Sequence, residues 1–235
     1  GTAYLGTQKG TPRKYAQSFR GRMDERYDFS RTIRDKKFRY IRHFNPHRPL
    51  GQNLQYLWRA PLTRSWEAEY NAGRLNKVQS QFWKPKPVEE LFDSVNDPWE
   101  VNNLAALPEH QETLERMRQD LRNWMLDIRD SGFMPEGMLQ EISQSGTVYE
   151  FAQSDIYDLE RIMDIAYKST SFDAAHVAEL IQAMQDDSPI VRYWGVTGCL
   201  ILGDKAKAAA DDVLYLLDDP NGDVQVVAAE TAVNL

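Results

Sequence analysis

Between residues 9 and 48 the chain sets 13 lysines and arginines against four carboxylates, Asp24, Glu25, Asp28 and Asp35. That local balance of +9 leaves −16 for the rest of a 235-residue chain whose net charge is −7, so a basic lobe precedes an acidic body. Guanidinium groups such as Arg20, Arg22 and Arg26 suit an anionic ligand, which they steer by charge and hold through paired N–H donors. The same run also suits a solvated sheet face, or a surface that docks onto another part of a larger protein. Two histidines extend this chemistry. His43 and His47 fall at a candidate hairpin end and in a Pro-bounded loop, where ring N–H groups can reach an anion or a hydroxyl. The competing reading is two surface-loop histidines. Arg22, Asp24 and Glu25 line the edge of the same pocket or pair with one another.

Other reactive residue types fit their surroundings less well. Asp219, Asn221, Asp223 and Glu230 fall at positions 1, 3, 5 and 12 of a calcium loop. Position six is Val224 where the turn needs Gly, and residues 226–229 read as apolar helix, so Asp223 reads better as a helix cap or first-turn acid. Cys199 is the single cysteine and lies in the apolar run 196–202, which excludes an intrachain disulfide and suggests a buried structural thiol. The acidic total, with no recognised motif beside the basic run, argues against nucleic acid. No stretch approaches the roughly 20 apolar residues of a membrane span, so no membrane partner is expected.

The elements that must position these groups divide the chain. Residues 1–131 mix strand and helix, 132–153 with Pro135, Gly137 and Gly146 read as a linker, and 154–235 read as all helix. In the first part, residues 32–34 and 38–42 flank Asp35-Lys36-Lys37 as a β-hairpin. Pro46 and Pro49 then break regular structure. Residues 50–87 form an aromatic-rich insertion with one short helix, 64–73. Residues 108–129 predict a long helix whose stripe of Leu114, Met117, Leu121, Trp124 and Ile128 must cover a partner surface, the small sheet being the obvious one. Burying that stripe contributes about 10 kcal/mol gross.

The helical part repeats itself. In LIQAMQDDSPIVRYWGVTGCLILG (180–203) and VLYLLDDPNGDVQVVAAETAVNL (213–235), an apolar helix, an Asp/Pro turn and a second apolar helix follow in order, with Val191 and Val224 spaced 33 residues apart. With small residues Gly195, Gly198, Ala228 and Ala229 for close packing, residues 174–235 resemble HEAT repeats. Two such units leave an apolar face at the open end, so further repeats are expected in a longer parent.

The run ELFDSVNDPWEVNNLA (90–105) resembles the C-terminal signature of the type I sulfatase family, where a strand ending in Leu-aromatic-Asp is followed by Asp-Pro, an acidic residue and Asn-Leu. Two further stretches carry the likeness in order. RMDERYD (22–28) with TIRDKKFRYIRHFNPHRP (32–49) is similar to the heparan N-sulfatase-like bacterial branch, in which an Arg-Met-Asp-Glu run precedes a hairpin ending in a Pro-His segment. FWKPKPVEELFD (82–93) matches that branch too. The resemblance spans residues 1–128 and implies an α+β C-terminal sulfatase subdomain, a small antiparallel sheet with a covering helix, followed by the HEAT-like region.

It also implies a function for the parent: hydrolysis of sulfate esters or N-sulfate groups on a sulfated carbohydrate. Family members use a formylglycine made from Cys or Ser in Cys/Ser-x-Pro-x-Arg, with calcium, both upstream of this region. Neither is expected here, since Cys199 is followed by Leu-Ile-Leu-Gly. The chain reads as an inactive fragment cut at both ends, without catalytic or metal-ligating residues, whose first partner is the upstream catalytic domain. Its candidate substrate-binding residues are His47, His43, Arg22, Asp24 and Glu25. The family suggests a periplasmic or extracellular location. A rival reading is a non-catalytic scaffold whose helical repeats recruit a protein or glycan partner.

Overall fold

The computed structural model describes residues 5–8 and 10–235. Residues 1–4 and Lys9, where the expected first domain and the basic run begin, lie outside the described residues. The expected hairpin forms from β2 (Ser30–Arg34) and β3 (Phe38–His43), with Ile33 opposite Tyr40. Its turn is held by Asp35, whose carboxylate accepts from the N–H groups of Lys37 and Phe38 at 2.8 and 2.7 Å. β1 (Ala16–Arg20) joins one side and β4 (Glu89–Asp93) the other, giving an antiparallel sheet in the order β1-β2-β3-β4.

Register fixes what each face carries. Ile33, Tyr40 and Leu91 form one cross-strand row and are fully buried. They meet Leu114, Met117, Leu121 and Met125 of the long helix, Gln111–Asp127. That helix begins after a 3-10 turn at Pro108–His110. The apolar stripe continues to Met125 and not to Trp124 and Ile128: Trp124 is only partly buried and Ile128 is 44% exposed. A step of four from Leu121 keeps the row on the sheet side, because the helix ends at Asp127 before Ile128 can complete another turn.

The helices in chain order are α1 (Gln55–Trp58), α2 (Pro61–Asn71), α3 (Lys77–Ser80), α4 (Gln111–Asp127), α5 (Glu136–Ser143), α6 (Val148–Gln153), α7 (Leu159–Ser169), α8 (Val177–Met184), α9 (Pro189–Leu202), α10 (Ala210–Tyr215) and α11 (Gly222–Asn234). α1 to α3 carry the aromatic insertion, where Trp66 stacks on Phe82 at 4.6 Å and Trp83 on Tyr70 at 5.8 Å. The stretch 132–153, expected as a linker, contains α5 and α6 and buries Phe133, Met134 and Met138 in the main core. Asn103 lies in the loop that follows β4. Its side chain receives the Leu91 N–H at 3.0 Å and donates to the Glu89 carbonyl at 3.0 Å, closing part of the β4 edge.

Sheet and helices share one core. Phe29 stacks on Phe44 at 4.6 Å, and Phe133 meets each edge-on at 4.9 Å. Trp194 of α9 packs beside them and donates its indole N–H to the Phe133 carbonyl at 2.9 Å. The buried Arg31 guanidinium holds Asp130 bidentately at 2.6 and 2.8 Å. Among α7 to α11, two successive Arg-to-Asp pairs link neighbouring units, Arg161 to Asp186 and Arg192 to Asp219. Val191 and Val224 are each the third residue of their helices, and both are buried.

Two substitutions test this packing. A Cβ on Gly195 would stand 2.9 Å from the Leu180 carbonyl and 3.0 Å from the Met184 nitrogen, so Gly195→Ala must push α8 and α9 apart. The expected loss is about 1–3 kcal/mol in urea unfolding. Arg31→Ala strands Asp130 in the core and should cost about 3–5 kcal/mol, with the sheet and helical signals lost in one transition. Separate transitions would show that the two halves do not share a core.

Candidate functional site

A cleft of about 320 Å³ opens between the loops around the sheet and the helices α5, α9 and α11. Arg22 and His47, far apart in sequence, both line it. Arg22 precedes a tight turn closed by an isolated bridge between Met23 and Arg26, in which Asp24 takes a φ of 54°. The Arg22 guanidinium points across the cleft. Its Nε donates to both oxygens of Glu136 at 2.6 Å, and Nη1 donates to the Asp24 carbonyl at 3.0 Å. That carboxylate raises the already high Arg22 pKa further. Arg48 pairs likewise with Glu230 of α11. Both cleft arginines therefore already hold carboxylates from the helical part.

His47 follows the break at Asn45-Pro46, where the Arg48 N–H bonds the Asn45 carbonyl at 3.3 Å. Its Nδ1 is buried and has no hydrogen-bond partner among the described residues. Burial, then the charges of Arg48 and Lys86, push its pKa down to about 4 against a smaller opposing effect of Asp28. The ring is thus neutral near pH 7. It offers the cleft a hydrogen bond without a charge.

Behind it lies a group of charges in which Lys86, a residue with no sequence motif of its own, joins Arg20, Arg26 and Asp28 of the basic run. Lys86, 5% exposed, donates to Asp28 at 3.0 Å and to the Arg48 carbonyl at 2.8 Å. Arg20 approaches the other Asp28 oxygen at 3.3 Å, but the geometry makes no hydrogen bond, so Arg20 Nε and Asp28 Oδ2 stay unpaired. Arg26 is buried with Nη1 on the Leu50 carbonyl and Nε unsatisfied. Burial lowers the Lys86 and Arg26 pKa values, in Arg26 with help from the Arg20 charge. Three cations thus surround one carboxylate. The sequence did hold a signal for Lys86, which sits between Pro85 and Pro87, with Pro85 bridged to Pro49.

The remaining predicted residues lie elsewhere. Asp24 and Glu25 sit on the exposed turn, where the Glu25 carboxylate accepts the Gln55 N–H at the start of α1. His43 projects from the opposite face of the sheet, with Nδ1 2.7 Å from Ser30 Oγ and Nε2 2.9 Å from Glu90. Ser30 is its register partner, whereas Arg31 and Arg42 face the other side. The structure therefore places Arg22 and His47 on the cleft wall, leaves Asp24 and Glu25 on the adjoining exposed turn outside that wall, and puts His43 on the sheet.

The residues present do not fit calcium or formylglycine. No group of three or more His, Cys, Asp or Glu that could hold a metal occurs among the described residues. Asp219 is held by Arg192 at 2.7 and 2.9 Å, Asn221 caps α11, and Glu230 is taken by Arg48. Cys199 is buried, and burial pushes its thiol up to about 12, far from a reactive thiolate. What the cleft can do is bind and orient a polar or anionic group.

No family model matches the chain. Over 140 residues, 59% of the chain, it is 37% identical to an ulvan-active sulfatase of Formosa agariphila, 24% of which is covered. A second ulvan-active sulfatase of that bacterium is 38% identical over 96 residues, 41% of this chain and 17% of that protein. The chain spans about a quarter or less of the length of the curated relatives it matches. It contains a sulfatase-related region, carried on an α+β fold. Among the described residues, no helix is long and apolar enough to cross a membrane.

The neutral His47 predicts a pH signature. Its pKa near 4 in the fold lies below an unfolded value near 6.5, so the unfolded chain binds the extra proton. Its contribution is complete above about pH 6.5 and disappears as pH falls through about 4. Urea unfolding should therefore show the wild-type chain losing about 2–3 kcal/mol more than His47→Gln over that window. Parallel pH profiles would contradict the assignment.

Proposed function

We propose that the chain is the C-terminal part of a sulfatase acting on a sulfated carbohydrate, with ulvan-type polysaccharides as the first substrates to try. The observation that carries this is the 37% identity over 140 residues to an ulvan-active sulfatase. In this reading the formylglycine nucleophile and calcium belong to an upstream catalytic domain, the chain's main partner. Residues 1–131 form the C-terminal subdomain, 132–153 connect it to the rest, and 154–235 form a HEAT-like unit. The enzyme works in the periplasm or outside the cell, on sulfate esters or N-sulfate groups. Arg22 and His47 contact substrate at the edge of the pocket, Arg22 by charge and His47 by a neutral hydrogen bond. The 33-residue repeat and the two Arg-to-Asp steps support the helical assignment.

A second role for the helical part has its own support. Tyr215, Val226 and Val233 are 83%, 71% and 86% exposed on α10 and α11, apolar side chains of the kind that a protein partner or a further repeat covers.

The test is sulfate release from ulvan oligosaccharides by the full-length protein, alongside the 235-residue chain. The longer protein should release sulfate and the chain alone should not. A full-length protein without sulfatase activity on sulfated carbohydrates would sink the proposal. Within an active enzyme, His47→Ala should reduce kcat/KM by about tenfold, the loss of one hydrogen bond to substrate. Glu136→Gln releases Arg22 from its ion pair and should lower KM by about two- to fivefold, most clearly at low salt.

A further inference from the structure

On the sheet face opposite α4 lies a separate groove of about 700 Å³. The strands contribute Ile41, His43, Glu90 and Phe92 to its floor, and Lys77, Lys84 and Trp99 stand around it. Its charges divide unevenly. Glu90 is engaged by His43, and Glu100 by Arg39 and the Ser94 hydroxyl at 3.2 Å, so the carboxylates at the groove are already partnered. Lys77 and Lys84 are exposed, and neither forms an ion pair or side-chain hydrogen bond among the described residues. The cleft shows the opposite pattern, with both arginines neutralised by Glu136 and Glu230. The groove therefore presents unbalanced positive charge where the cleft does not.

Trp99 adds a second chemistry. It is 86% exposed, the most exposed of the large apolar side chains together with Val233. The turn that carries it is nevertheless closely held. The Asp97 carboxylate accepts the Asn102 N–H at 2.8 Å, the Glu100 N–H bonds the Asp97 carbonyl at 3.0 Å, and Glu100 adopts a φ of 53°. A tightly bonded turn that leaves an indole in water is an ordered display of a flat apolar face.

We propose that this groove is a second binding site, distinct from the cleft, for an anionic sulfated oligosaccharide. Trp99 stacks on the C–H face of a sugar ring, and Lys77 and Lys84 take sulfate or carboxylate groups on its edges. A sulfated sugar is the ligand that pairs an apolar ring face with anionic rims, and that pairing matches one exposed indole flanked by two unpaired ammonium groups. The choice of a sulfated saccharide rests on the proposed sulfatase function.

The experiment titrates the 235-residue chain with a sulfated ulvan oligosaccharide and with the same oligosaccharide after chemical desulfation, by calorimetry and by the NMR shift of the Trp99 indole N–H. Saturable binding should shift that resonance, and Trp99→Ala should weaken both ligands by about tenfold. Lys77→Gln with Lys84→Gln should weaken the sulfated ligand by about tenfold and abolish its advantage over the desulfated one. Thermal melting of each variant confirms that the exposed positions leave the fold intact. No binding, an unmoved Trp99 resonance, or binding insensitive to all three substitutions would overturn the groove. Sulfate release by the full-length protein separates the two ideas. Hydrolysis with an insensitive groove defeats only the groove, and groove binding without hydrolysis defeats only the enzymatic reading.

Discussion

Arg31 and Arg42 stand directly opposite each other on β2 and β3, buried on the sheet face that also carries Ile33, Tyr40 and Leu91. Like charges across a ladder repel, and each guanidinium loses its hydration, so the sheet can close on its core only if compensating groups arrive from outside the hairpin. Residues beyond α4 bring most of them. Asp130 takes Arg31 bidentately, while the Thr170 hydroxyl accepts from Arg42, whose guanidinium also lies 4.6 Å from the Tyr167 ring. From the sheet itself come the Glu89 charge and the rings of Phe29 and Phe44. Residues that follow α4 are thus a condition of the sheet's closure, which is why Phe133 and Trp194 sit inside its aromatic cluster.

The same dependence shapes the cleft. Once Asp130 is fixed by Arg31, α5 begins six residues later and carries Glu136 to Arg22; once α9 is seated by Trp194, α11 packs beside it and carries Glu230 to Arg48. The pairs at the cleft are half exposed and individually weak, yet their positions follow from buried contacts that are not. An anion entering the cleft must displace a carboxylate that the core holds nearby. Affinity there is set by exchange between two anions, which makes salt and the protein's own acids part of the site.

Local chemistry made the hairpin and α4 legible, because each rests on neighbours in sequence, the Asp35 turn and a helical apolar stripe; in the aromatic insertion the single helix expected at 64–73 lies at Pro61–Asn71, and α1 and α3, each four residues long, left no periodic signal. β1 was not legible, since Ala16–Arg20 has an exposed pattern with Phe19 in solvent and no buried alternation to mark it. The stretch 132–153 looked like a linker from its Pro and Gly, but Gly132 is where the Arg31 guanidinium would meet a Cβ at 1.9 Å, and Gly137 is close to Asp223. Glycine there marks close approach, which only the partner reveals. Lys86 escaped notice for a related reason: its role depends on Asp28, 58 residues away.

His43 and His47 show where reading a site from sequence spacing fails. Four residues apart, they look like one constellation, but His43 is the last residue of β3, and Pro46 then turns the chain before His47. On a strand, register assigns His43 to the face of Ser30 and Glu90, where two hydrogen bonds satisfy the ring. His47 emerges into a buried position in the field of Arg48 and Lys86, where desolvation first and then the neighbouring cations disfavour a protonated ring, so it stays neutral and Nδ1 stays bare. The sheet therefore divides two polar surfaces with different electrostatics. One has its cations answered by the helical part, the other has its carboxylates answered by His43 and Arg39 and its lysines left open. An anion meets competition on the first surface and none from these carboxylates on the second.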